Sequence, residues 1–350
     1  MSDVQGLQER VSPRRRHGHP QERDPLALPR HPRSAAAHPP VRCDPAPEPP
    51  GVGDGPAVQS AGTHHTGAPA HGPRGRHRPQ RPLPVFVRRN LLRWFRRRTP
   101  AAHPVTQGTV TYLADSFTTF TEPGIGRAAI ELLERAGWQV RLESGGCCGR
   151  SSLSKGLVDD AKNKARQLAH SLEQSTEPGS PIVGCEPSCL MTLRDEHRAL
   201  LPDDAAVKDI AGRVRQVEEL LVEAIDDGRL RLRDNSWLAG RKLLYHGHCH
   251  QKAEVGTAAT VALLNRIPGA TVSELDAGCC GMAGSFGFES EHYEVSMTVG
   301  EDRLFPAIEA EDADTVVVAT GVSCRQQIFH GTERNAWHPV QLLWEAVQPA

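Results

Sequence analysis

The chain has 350 residues, with 41 basic side chains, 42 acidic ones and nine cysteines. That balance excludes a uniformly polycationic or polyanionic binder, and the cysteines are too sparse for a disulfide-built secreted scaffold. No apolar run reaches the roughly 18–20 residues that a membrane-spanning helix needs. Met1 to Arg16 also lacks the apolar stretch of a signal peptide, so the expectation is a cytoplasmic protein, either free or peripheral at the inner face of the cell membrane.

The near-neutral total conceals a division. Residues 1–104 hold 18 Arg, no Lys and 7 acids, whereas residues 105–350 hold 23 basic and 35 acidic residues. Nineteen of the 28 prolines also fall before residue 105. Residues 1–81 show no apolar periodicity and offer too little surface to offset chain entropy, so they read as a disordered tail. Arg, Pro, Ala, Gly and His without Lys is also what GC-rich coding sequence yields when translated in a wrong frame. A basic arm would carry patterned Arg and Lys, so no nucleic-acid partner is expected. A histidine-rich metal tract is a third reading of the same segment. Residues 82–108 form a linker containing a short amphipathic segment, Asn90-Leu91-Leu92-Arg93-Trp94-Phe95.

From residue 109 strand and helix signals alternate, as in a parallel α/β domain. Thr109–Ala114 is a strand. Ile125, Ala128, Ala129, Leu132, Leu133 and Ala136 make a helical stripe, and Trp138–Leu142 is the next strand, running into Cys147-Cys148-Gly149. A polar helix spans Ser154 to Glu173, the strand Pro181–Gly184 ends in Cys185-Glu186-Pro187-Ser188-Cys189, and a helix follows to Leu200. The order then repeats. Strand Leu243–Tyr245 enters His246-Gly247-His248-Cys249-His250, helix Thr257–Asn265 follows, and strand Thr271–Leu275 enters Cys279-Cys280-Gly281. A long helix starts near Glu291, and strand Thr315–Ala319 leads to Cys324. Residues 109–235 and 236–350 therefore form two tandem half-domains. Each is a small parallel sheet with flanking helices, the two related by a pseudo-twofold axis.

Adjacent cysteines bridge each other poorly because their short link strains a disulfide. A repeated Cys-Cys-Gly with a further cysteine some forty residues on instead suggests several thiolates at one metal or iron–sulfur site. In both units the cysteines follow strands, at the carboxyl edge where open α/β sheets bind ligands. Zinc would accept Cys249, Cys279, Cys280 and Cys324, or a set including His248 or His250, but no short C-x2-C pair exists. His246, His248 and His250 alternate and would share one face of a strand. They are expected to hydrogen-bond around a metal centre, with direct ligation or proton transfer as the alternative. Gly124-Ile125-Gly126 imitates a dinucleotide fingerprint but has no acidic residue about 20 positions on, so it reads as helix-start chemistry. Phe286, Phe288 and Tyr293 read as core packing. Arg150, Lys155 and Arg325 lie beside the cysteine motifs.

Five blocks carry a family resemblance: Glu143-Ser144-Gly145-Gly146-Cys147-Cys148-Gly149-Arg150, Val183-Gly184-Cys185-Glu186-Pro187-Ser188-Cys189-Leu190, His246-Gly247-His248-Cys249-His250-Gln251-Lys252, Gly278-Cys279-Cys280-Gly281-Met282-Ala283-Gly284, and Gly321-Val322-Ser323-Cys324-Arg325. The pattern resembles the cysteine-rich CCG domain found in heterodisulfide reductase, and most of all the C-terminal iron–sulfur part of FAD-linked D-2-hydroxyacid dehydrogenases. The resemblance implies Cys249, Cys279, Cys280 and Cys324 as ligands of a [4Fe–4S] cluster, with 29 and 43 residues separating the three positions. It implies a weaker second set, Cys147, Cys148, Cys185 and Cys189, because Asp115 stands where that half's early cysteine is expected. Gly321 or Thr320 takes the place of the extra cysteine used by noncubane clusters.

The implied function is electron transfer, with no catalytic residue of its own. Electrons would come from an FAD-containing dehydrogenase domain or subunit and pass to a quinone or other acceptor. The FAD would sit on that partner, and a ferredoxin-type iron–sulfur domain is a further expected partner. Heterodisulfide-type chemistry at the cluster and a zinc-stabilised interaction module are the alternatives.

Overall fold

The computed structural model describes residues 80–99 and 103–347. Most of the tail and Cys43 lie outside them. Among the described residues the packing extends to Arg81. Arg81 is buried, donates to Met282 Sδ and Gln327 Oε1, and lies over the Tyr293 ring. The amphipathic segment forms α1 (Leu91–Arg97), N-capped by Asn90 Oδ1 on Arg93 N at 2.8 Å. Its Leu91 is fully buried against Gly126, where an added Cβ would stand 2.6 Å from Leu91 Cδ2. The glycine of the false dinucleotide fingerprint is thus a packing glycine.

In the first half β1 (Thr109–Leu113) is buried at every position. It is followed by α2 (Ser116–Phe120) and α3 (Pro123–Arg135), whose buried residues include the expected Ile125, Ala128, Ala129, Leu132 and Leu133. Next come β2 (Gln139–Glu143), α4 (Arg150–Ser154) and α5 (Val158–Ser175). The polar helix expected from Ser154 to Glu173 is α5, which starts at Val158, after Gly156 with φ +71°; α4 is an additional short helix before it. Then come β3 (Ile182–Val183), α6 (Pro187–Arg194), α7 (Glu196–Leu200), α8 (Ala205–Arg213) and α9 (Val217–Asp226).

The second half runs β4 (Lys242–His246), α10 (Cys249–Glu254), α11 (Ala258–Asn265), β5 (Thr271–Glu274), α12 (Tyr293–Glu309), β6 (Val316–Ala319), α13 (Val322–Thr332), β7 (Ala336–Trp337) and α14 (Pro339–Ala346).

The strands form two parallel sheets, ordered β2-β1-β3 and β5-β4-β6-β7. The first three strands of each half thus adopt the same order, with the first in the middle. Burial explains the strand types: the central β6 reads Val316-Val317-Val318-Ala319 and is wholly buried, whereas the edge strand β5 is half exposed.

The halves interlock. Helix α14 packs on α3, α11 on α9 and α10 on α6, and Leu263, Val340 and Leu343 share a core with Val110, Tyr112 and Leu132. Burial of these side chains contributes on the order of 1.5–3 kcal/mol each, which resists separation of the halves. Among the described residues no helix is long and apolar enough to cross a membrane.

Candidate metal centre

Three loops at the carboxyl ends of β4, β5 and β6 carry the four second-half cysteines. After β4 the chain makes one step, Gly247, before His248 caps α10, so Cys249 is the first helical residue. Gly281 closes the loop after β5 with φ +94°, and a Cβ there would stand 2.2 Å from Ser296 O. Only glycine lets Cys279 and Cys280 turn in beneath α12. After β6, Gly321 precedes α13, which places Cys324 in its first turn. A side chain at Gly321 would meet His248 Cδ2 at 2.2 Å, so that position has no room for an extra cysteine.

The four thiols form a row of neighbours, Cys249 to Cys279 to Cys280 to Cys324. Hydrogen bonding to Cys279, then burial, pushes the Cys249 thiol up. Hydrogen bonds from Cys249 and Cys280 push Cys279 down, and the Gly281 N–H also donates to its Sγ at 3.3 Å. Cys280, between Cys279 and Cys324, is raised by its hydrogen bonds to both. Cys324 is lowered by Cys280 and by the neighbouring imidazoles of His246 and His248. Its place in the first turn of an eleven-residue helix favours the thiolate as well.

Four neighbouring thiols, two of them pushed toward the thiolate by their neighbours, suit a soft, thiolate-bound centre. They lie in a row. Among the described residues no three His, Cys, Asp or Glu side chains gather as ligands of one ion. An open cleft of about 300 Å³ runs between Cys279 and α12, lined by Gly278, Thr298, Val299, Asp302 and Arg303.

The three histidines do not share a strand face. The strand ends at His246, His248 is a helix cap whose Nδ1 accepts His250 N at 3.2 Å, and His250 lies in the helix. His246 is buried beside Cys324, and neither of its ring nitrogens has a hydrogen-bond partner. A buried imidazole beside Cys324, with ring nitrogens not taken up by other protein groups, fits a place next to a thiolate-bound centre. Burial, Arg150 and His248 push His250 down to about 4.

In the first half, Cys148 lies between Cys147 and Cys189 as Cys280 lies between Cys279 and Cys324. The Cys148 carbonyl accepts from His197 Nε2 at 2.8 Å. Cys185 stands apart, beside Tyr112, Glu218 and Asp115. Asp115 caps α2 through Phe117 N at 2.8 Å and Thr118 N at 3.0 Å, as His248 caps α10. The step from Cys249 to Cys279, counted back from Cys147, reaches Phe117, so spacing alone passes over the position that the helix cap marks.

The charges beside the motifs are paired. Arg325 is buried, pairs with Glu122 of the first half, and donates to the Ala319 and Thr320 carbonyls at 3.1 and 2.8 Å. Arg150 pairs with Glu196, and Lys155 reaches across to Glu289 of the second half. Glu122, Glu186, His197, Glu218 and His338 stand out only in the folded chain. Each is polar and acts through a distant segment, so no local pattern reveals it.

Comparison with known proteins places these features. The model of the cysteine-rich CCG domain matches residues 112–194 and 243–329. A subunit of the anaerobic glycerol-3-phosphate dehydrogenase of Escherichia coli (strain K12) is 30% identical over 271 residues, 77% of this chain and 66% of that protein. The D-2-hydroxyglutarate dehydrogenase of the same organism is 26% identical over 241 residues, 69% of this chain and 23% of that protein. Lactate utilization protein A of Shouchella clausii is 27% identical over 234 residues, 65% of this chain and 90% of that protein. The chain therefore spans about two thirds of the first relative and under a quarter of the second.

Proposed function

Because the chain belongs to the cysteine-rich CCG family and carries two such domains, we propose that it is an iron–sulfur electron-transfer module of a flavin-linked dehydrogenase acting on a small hydroxylated substrate, of the D-2-hydroxyacid type. Two of the relatives are named as dehydrogenases of hydroxylated substrates and the third for the use of lactate. The observation that carries the reading is the meeting of Cys249, Cys279, Cys280 and Cys324 from three separate loops at one sheet edge. Four thiolates are the ligand set of a [4Fe–4S] cluster. When bound, such a cluster takes up and releases single electrons.

The chain's own residues would do the rest. Cys279 and Cys324, pushed down by their neighbours, would give up their protons most readily. The helix dipole of α13 and the imidazoles of His246 and His248 offset that charge. Burial of Cys280 and Cys324 keeps water from the inner side, while half-exposed Cys249 and Cys279 face outward. In this reading a partner flavin domain or subunit oxidises the substrate, and a ferredoxin-type domain and a quinone or other acceptor complete the chain.

Anaerobic purification with iron and sulfide analysis, visible absorption near about 400 nm and EPR of the reduced protein tests this. Iron and acid-labile sulfide in equal amounts, both lost in Cys280→Ser, is the expected result. Stoichiometric zinc in place of iron overturns it.

A further inference from the structure

The strand registers allow the two halves to be superposed residue by residue. Thr109 pairs with Gln139 as Lys242 pairs with Thr271, and Thr111 pairs with Ile182 as Leu244 pairs with Val317. One numbering offset per strand then equates Cys147 with Cys279, Cys148 with Cys280, and Cys189 with Cys324. Independent features agree. Gly149 and Gly281 both have positive φ, at +79° and +94°. Glu186 and Gly321 both sit at the N-cap of the helix that carries the last cysteine. The same offset sets Cys185 against Thr320, and the surroundings match: Cys185 lies beside Tyr112, and Thr320 and Tyr245 meet at Gln251 Oε1 at 3.0 and 2.9 Å.

By this correspondence Asp115 equals His248, each capping a short helix, and the residue equal to Cys249 is Ser116. Ser116 is the first residue of α2 and is partly exposed, as Cys249 is the first residue of α10 and partly exposed. We propose that Ser116 is the residue that denies the first half its fourth ligand, leaving it with three thiols, Cys147, Cys148 and Cys189, and a hydroxyl at the fourth corner. A serine hydroxyl is a hard, weakly acidic donor and does not replace thiolate on iron. Cys185 does not fill the gap, because it faces Tyr112 on the core side. The wild-type chain therefore holds one four-thiolate cluster, and Ser116→Cys completes a second. The inference rests on the iron–sulfur reading above.

The test reconstitutes wild type, Ser116→Cys, Asp115→Cys and Ser116→Cys/Cys249→Ser anaerobically with iron and sulfide. Iron and sulfide are counted on folded protein, verified by circular dichroism and thermal unfolding. Wild type should approach about four irons per chain and Ser116→Cys about eight, in line with one and two clusters. Asp115→Cys should stay near about four, because its side chain lies one position away at the cap. The double variant should return to about four, now lost on adding Cys189→Ser rather than Cys324→Ser. Folded Ser116→Cys binding no more iron than wild type overturns the assignment, as does wild type already near about eight. A wild type with no iron at all defeats the function proposed above, whereas wild type and Ser116→Cys both near about four defeat only the role of Ser116.

Discussion

Glu186 of the first half accepts the backbone N–H of Val322 of the second half at 2.9 Å, through Oε2. Its Oε1 takes the N–H and the hydroxyl of Ser188. Val322 opens the helix that carries Cys324, and Ser188 lies in the first turn of the helix that carries Cys189. One buried carboxylate thus ties together the N-termini of the two helices that bring each half's last cysteine to its sheet edge. Arg325, one residue beyond Cys324, lies close enough to feel the Glu186 charge and pairs with Glu122. His338 closes the same seam from below. Its Nδ1 accepts Val340 N, so Nε2 carries the proton and donates to the Cys185 carbonyl at 3.0 Å.

Replacing Glu186 tests that seam. A glutamine there would keep the shape but offer one accepting oxygen and one donating amide to partners that all donate. The lost charge-assisted hydrogen bond and the unmet N–H should cost about 1.5–3 kcal/mol. Urea unfolding of Glu186→Gln should show a lower midpoint at unchanged slope. A midpoint equal to wild type would show that the carboxylate does not hold the halves together.

The cysteines are expected to differ in weight. Cys280→Ser and Cys324→Ser, at the buried inner side of the row, should abolish most bound iron. Cys147→Ser should remove little, because the first half has three thiols in contact and a serine at the fourth position. Cys43→Ser should change nothing. Iron content measured side by side decides it, and equal loss in Cys147→Ser and Cys279→Ser would contradict the one-cluster arrangement.

Why the sequence exposes some of this and not the rest follows from range. The strand–helix order and the cysteine motifs are legible because period-2 and period-3.6 patterns and turn glycines are local. Helices α8, α9 and α14 carry no cysteine and so stand outside the repeated motif, although Val217, Leu220, Leu221 and Ala224 make a regular buried stripe in α9. Arg325 is legible as a charge near Cys324 but not as a buried one, since its partner Glu122 is 203 positions away. The alternating histidines mislead because strand β4 ends at the first of them. Asp115 misleads by one position because spacing leaves the place of the early cysteine open, whereas a helix cap fixes the equivalence.

The N-terminal boundary gives a further prediction. Removing residues 1–79 should leave iron binding and stability unchanged, since their composition offers no core. Arg81→Ala should cost about 1–2 kcal/mol, because Gln327 Oε1 loses a buried donor. Thermal unfolding of the shortened chain with and without Arg81→Ala separates the two. Indistinguishable curves for the pair would show that the packed part starts later, near Val87, whose N–H donates to Phe120 O at 2.8 Å.

Glu218 predicts a pH dependence. Its carboxyl is buried at the start of α9 near Cys185 and Tyr245, with no basic partner among the described residues, and burial pushes it up to about 7 from an ordinary value near 4.5. Below about pH 4.5 the group is protonated in both the folded and the unfolded chain, so its environment is fully tolerated. Between about 4.5 and 7 the unfolded chain releases a proton that the folded chain keeps, so stability falls as pH rises. Above about 7 the fall is complete, at up to about 3 kcal/mol. Asp115, raised to about 6 by burial and then by Glu186, adds a fall of the same sign at somewhat lower pH. The diagnostic is therefore the difference between wild type and Glu218→Gln rather than either curve alone. The amide cannot ionise, so the variant should gain on wild type from about pH 5 to 7 and level off above that in urea unfolding. Parallel curves over that range would mean that Glu218 is ionised at no cost, and that water or a reorganised α9 reaches it.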